Sequence, residues 1–174
     1  MIIPVNGLYP KIHPTAWIAP TATIIGDVEI GEGCSIWFGT VIRGDVFPIR
    51  IGRHTNIQDN CTVHATYKKC GVVIGDRVTV GHQVILHGCQ VGDGTLVGMG
   101  SILMDNVSIG KRSIVGAGSL VTEESKFEDE TLVLGRPAIA KRKLKPEELK
   151  HINHSADNYT LYTSWYAGTE GKIP

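Results

Sequence analysis

The chain has 174 residues, 21 glycines and no formal net charge, with 17 basic and 17 acidic side chains. That length suits one domain with a continuous core, and the charge balance excludes a general nucleic-acid or anionic-membrane binder, which carries a basic excess. No run is apolar enough to span a bilayer and no basic-then-apolar leader opens the sequence, so no membrane association and a cytoplasmic location are expected.

Apolar residues recur every six positions. Ile12, Ile18, Ile24, Ile30, Ile36 and Ile42 come first, then Ile51, Ile57 and Val63, then Ile74, Val80 and Leu86. Val91, Val97, Leu103, Ile109, Val115 and Val121 complete the series. A short fixed period over such a length marks a solenoid, whose units bury their apolar residues only by stacking. Gly follows many of these residues, as in Ile51-Gly52, Ile74-Gly75 and Val91-Gly92, where a corner or close backbone approach needs it. The four cysteines, Cys34, Cys61, Cys70 and Cys89, form no C-x-x-C pair and read as small buried or turn residues.

This pattern resembles the hexapeptide-repeat family, whose fold is a left-handed parallel β-helix of triangular cross-section with three hexapeptides per coil. The expected fold is therefore an all-β solenoid over residues 1–122. A connecting segment (123–145) and a C-terminal α-helix (146–174) should follow.

With three units per coil, Ile36, Ile57 and Val80 stack in one column, and Ile42, Val63 and Leu86 in the next. The step from Ile42 to Ile51 is nine residues, from Val63 to Ile74 eleven, and from Leu86 to Val91 five. All three irregular steps leave the same corner in successive coils, which points to a site there. The residue after each ladder position at that corner is Arg43, His64 or His87. Adjacent coils lie about 4.8 Å apart. His64 and His87 are thus close enough to share a metal ion. His82 belongs to the neighbouring corner, in column with Asp59. It reaches the same ion only across a threefold interface, so a three-histidine site requires a trimer. The same register sets Arg43 of one chain against Asp59 of the next as an intersubunit ion pair.

These residues lie within Arg43-Gly44-Asp45, Asn56-Ile57-Gln58-Asp59-Asn60, Val63-His64, Gly81-His82 and Leu86-His87-Gly88. Together they resemble the γ-class carbonic anhydrases over nearly the whole chain. The resemblance implies that His64, His82 and His87 ligate a metal shared across a homotrimer. It implies a supporting set of Arg43, Asp45, Gln58 and Asp59, with Arg43 and Asp59 in subunit contacts and Gln58 orienting the metal-bound hydroxide or substrate. The implied reaction hydrates carbon dioxide to bicarbonate on Zn²⁺; Fe²⁺ or Co²⁺ suits the same imidazoles. Val46 follows Asp45, and the loop Ala65-Thr66-Tyr67-Lys68-Lys69-Cys70 holds no carboxylate. The chain thus resembles the shorter branch that lacks an acidic, proton-shuttling loop.

After Val121 the period is expected to stop in a charged, solvated link. Pro146 with Glu147 and Glu148 then opens a helix. Leu149, Ile152, Ala156, Tyr159, Tyr162 and Tyr166 form its packing face. Tyr159 resembles a tyrosine near the metal pocket of related proteins. His151 and His154 read as surface residues. Competing expectations are an acyltransferase or a metal-dependent thioesterase on the same ladder, and a non-catalytic structural homologue. Gly135-Arg136-Pro137-Ala138 resembles a turn found where such ladders end, in several of these classes.

Overall fold

The computed structural model describes residues 1–166 as a parallel β-solenoid of about seven turns closed by one C-terminal helix. This matches the left-handed β-helix expected from the hexapeptide pattern. The ladder residues stack in three columns. One runs Ile18, Ile36, Ile57, Val80, Val97, Val115, Val133. The second runs Ile24, Ile42, Val63, Leu86, Leu103, Val121. The third runs Ile12, Ile30, Ile51, Ile74, Val91, Ile109, Phe127. Ile36, Ile42, Ile57, Val63, Val80 and Leu86 are completely buried. No single unit of two or three strand residues could bury its apolar side chain alone, so the core is continuous along the axis.

The coil turns because a residue takes a left-handed backbone conformation at most corners. It lies three positions after the ladder residue at two corners, as in Asn60, Gln83 and Gly100, or His54, Arg77 and Gly94. The third corner keeps that offset only lower down, at Asn106 and Glu124, and departs from it at Gly26 and Gly88. The irregular corner inferred from step lengths is therefore real. The glycine after a ladder residue does a different job. It keeps the coils in contact: a Cβ on Gly75 would lie 2.3 Å from Asp93 Oδ1.

The period does not stop at Val121. Phe127 pairs with Ile109 and Val133 with Val115, so the 123–145 segment is not a plain link but carries the ladder through a further turn. Glu128, Asp129 and Glu130 mask this in sequence, because they occupy outward and corner positions where charge is harmless. Strand Ala138–Lys143 then folds back antiparallel on strand Thr131–Gly135. The hairpin protects the end of the sheet from further strand addition.

Helix α1 spans Pro146–Tyr166; positions 167–174 of the expected helix lie outside the described residues. Glu148 accepts the Lys145 backbone N–H at 2.8 Å and a two-pronged contact from Arg142 at 2.7 Å, which satisfies the start of the helix. The helix buries Ile152 and Ala156 and packs on strands Ser35–Ile36 and Thr79–Val80. Among the described residues no helix is long and apolar enough to cross a membrane.

Candidate metal site

The sequence-predicted residues fall into two groups on neighbouring corners. Arg43, Asp45, His64 and His87 form the first. Gln58, Asp59, His82 and Tyr159 form the second. Among the described residues no hydrogen bond or ion pair joins the two groups, and no three potential ligands within one chain converge on one ion.

The first group is built on adjacent strands. Strands Val41–Ile51, Thr62–His64 and Ile85–His87 pair in parallel, which sets Arg43 beside His64 and His64 beside His87. The two imidazole rings stand 5.3 Å apart, and His64 Nδ1 lies 3.3 Å from His87 Nε2. Each ring is held from behind by a carboxylate. His64 Nε2 donates to Asp45 Oδ1 at 3.2 Å and His87 Nδ1 donates to Asp105 Oδ1 at 2.7 Å. Burial works against ionisation of Asp45, yet hydrogen bonds from Arg43 and His64 hold its pKa below the ordinary value. Burial opposes ionisation of Asp105 as well, but Thr66, His87 and Lys69 bring its pKa down to about 2. Both carboxylates are thus acceptors, and the outer ring nitrogens must carry the protons. Burial, then the Arg43 charge, lowers the His64 pKa, which favours the neutral ring.

With the outer nitrogens committed to carboxylates, His64 Nδ1 and His87 Nε2 are the ring atoms left facing each other. A cation between them would take one nitrogen from each ring. Two nitrogens bound at ~2.0–2.1 Å to one tetrahedral ion stand about 3.3 Å apart, the spacing seen here. The donor set fits a divalent ion that takes imidazole.

The second group lies against α1. His82 Nδ1 contacts Asp59 Oδ2 at 2.8 Å, and among the described residues Nε2 makes no hydrogen bond. Gln58 is buried and donates to Asn56 Oδ1 at 3.2 Å; Asn56 in turn donates to Thr79 Oγ1 at 3.0 Å. Tyr159 stands edge-on to Trp37, with ring centres 5.3 Å apart, in an aromatic run with Tyr162 and Trp165. Burial, then the Asp59 charge, pushes its pKa up to about 12, so its hydroxyl stays protonated. His82 and Tyr159 also border a groove of about 390 Å³ under α1, floored by apolar residues such as Leu96, Met99 and Ile114.

In the single chain Arg43 pairs with Asp45 at 2.5 Å, and Asp59 with His82. Asp105 was not visible as a site residue. In Met104-Asp105-Asn106 it reads as a turn residue, and its column neighbour Gly88 was the only signal. All four cysteines are free thiols, and burial pushes the pKa of Cys34 up to about 11 and those of Cys61 and Cys89 up to about 12.

Residues 9–44 and 88–123 match the bacterial transferase hexapeptide (six repeats) family. The chain is 42% identical over 168 residues to γ carbonic anhydrase 1, mitochondrial, of Arabidopsis thaliana. That match covers 94% of this chain and 61% of the plant protein, so the chain spans about three fifths of that relative's length. It is 46% identical over 166 residues to a carbonic anhydrase of Geobacillus kaustophilus, covering 95% of this chain and 91% of the other. Among solved structures, a Bacillus cereus protein described as a putative acetyltransferase superposes with a TM-score of 0.94 at 45% identity, over 98% of each chain.

Proposed function

Because the chain belongs to the γ-class carbonic anhydrase family of hexapeptide-repeat proteins, we propose that it hydrates carbon dioxide to bicarbonate at a divalent-metal centre shared between subunits of a homotrimer. The observation that carries this reading is the approach of His64 Nδ1 to His87 Nε2 at 3.3 Å, with both outer nitrogens committed to carboxylates. The first group would supply two ligands, and the His82 corner of a neighbouring chain the third. Zn²⁺ is the expected ion, with Fe²⁺ and Co²⁺ as competitors. When bound, such an ion supplies Lewis acidity and a water acidic enough to act near neutral pH.

The chain's own residues divide the remaining work. Asp45 and Asp105 keep protons on the outer nitrogens and so keep the inner ones available. Arg43 adds positive charge beside His64 and is free to exchange Asp45 for the Asp59 corner of a neighbour. Gln58, anchored by Asn56, offers an amide to orient substrate beside His82. Tyr159 keeps that pocket apolar and its hydroxyl neutral. The 65–70 loop has no carboxylate to take up the proton released by hydration. Turnover should therefore rise when an imidazole buffer replaces a non-exchanging one.

One observation favours a second reading, hydrolysis or transfer of an acyl group: the groove beside His82 is far larger than carbon dioxide needs. The test is a count of bound ion per chain and a stopped-flow hydration assay, for wild type and His82→Ala. The reading expects both to fall together. An ion retained with hydration unchanged overturns it; a tight ion with no hydration but cleavage of an acetyl thioester favours the second reading.

A further inference from the structure

The loop after His64 is fastened to the metal site from behind. Thr66 and Cys70 bridge its two ends. Thr66 Oγ1 donates to Asp105 Oδ2 at 2.8 Å, and Lys69 Nζ donates to the same oxygen at 3.1 Å. The other oxygen, Oδ1, holds His87 Nδ1 at 2.7 Å. Asp105 is buried, so its charge needs these partners. It reaches His87 because Gly88 has no side chain: a Cβ there would lie 2.7 Å from Asp105 Oδ1 and 2.4 Å from Cys70 Sγ. Gly88 also has a φ of +56°, which only glycine adopts freely.

We propose that Asp105, gripped by Lys69 and Thr66, is the positioning residue of His87, so that the 65–70 loop sets how tightly the histidine pair holds a divalent ion. The inference rests on His64 and His87 being ligands. A metal-bound imidazole is oriented by what its other nitrogen contacts, and loss of such a partner commonly costs about 10–100-fold in metal affinity. Lys69 acts through Asp105 by keeping that carboxylate in place.

The sign of the Lys69 effect separates this role from simple electrostatics. Lys69→Met removes a positive charge near a cation site. Through space alone that change tightens binding of a cation; through Asp105 it weakens it.

The experiment uses the full chain, stripped of metal, with Zn²⁺ as probe in competition with a chromogenic chelator. Melting of each metal-free variant checks folding. Asp105→Asn is expected to weaken Zn²⁺ binding about 10–100-fold. Lys69→Met should weaken it about two- to fivefold, the size of one exposed ion pair, and Lys69→Arg should restore it. Lys69→Met combined with Asp105→Asn should match Asp105→Asn alone. In the metal-free wild type, ¹⁵N NMR should find the His87 proton on Nδ1, and Asp105→Asn should redistribute it. Lys69→Met binding as tightly as wild type or tighter overturns the proposal, as does a double variant whose losses add. Zn²⁺ binding undiminished by His64→Ala with His87→Ala removes the underlying ligand assignment instead, so the two failures are distinguishable.

Discussion

One outward column of side chains runs Arg43, His64, His87 and continues two coils further as Met104 and Thr122. Behind both halves the interior is the same. Ile42, Val63 and Leu86 are as completely buried as Leu103 and Val121. Outside, the halves differ: the coils behind the histidines leave this corner by steps of nine, eleven and five residues, and those behind Met104 and Thr122 by steps of six. The solenoid supplies a uniform core and fixed outward spacing. On the proposed function, chemistry is added at one corner by changing loop length and the residue beside the ladder, without altering what is buried.

That comparison can be broken in graded ways. The largest effect belongs to the core. Leu86→Ala, behind the histidines, and Ile109→Ala, in the regular part, should each cost about 2–5 kcal/mol in denaturant unfolding. A loss below about 1 kcal/mol for Leu86→Ala would show that the site coils are not packed like the rest. Next comes the column itself. His64→Ala should strip the protein of bound ion after dialysis, whereas Met104→Ala should leave ion content at the wild-type level. Equal losses in the two variants would erase the distinction between the halves. Asp45→Asn should leave an ion bound but weaken it about tenfold by chelator competition, through loss of the carboxylate charge behind His64.

The smallest effect lies outside both halves, at the start of α1. Arg142 first, then the Lys145 N–H, lowers the Glu148 pKa from an ordinary 4.5 to about 2. A depressed carboxyl pKa stabilises the fold above its unfolded value and ceases to do so as pH falls through the folded one. The melting difference between wild type and Glu148→Gln should therefore be small, present at neutral pH, and fade between about 4.5 and about 2. Persistence of the difference at the acid end would show that the cap does not depend on charge.

Much of this was legible because a ladder turns sequence distance into spatial distance. The pairings of Arg43 with His64 and of His64 with His87 follow from counting by three units, and so does the placement of His82 over Asp59. The residues that escaped are those whose role depends on direction rather than register. Asp105 has an ordinary turn sequence, and only the absent side chain of Gly88 lets it turn back to His87. Phe127 and Val133 keep the six-residue period, but the acidic corner between them resembles a solvated link. The Tyr159 contact with Trp37 joins residues far apart in sequence and off the ladder, where no period relates them.

The central claim is that one ion is held by His64 and His87 of one chain and by the His82 corner of another. Mixing tests it most directly. His64→Ala and His82→Ala proteins, each ion-poor and inactive alone, are co-expressed and purified together. A site shared between chains regains both ligand groups in about a quarter of randomly assembled interfaces, so ion content and hydration should return to roughly that fraction of wild type. No recovery in the mixture, or full activity in His82→Ala alone, would contradict the account.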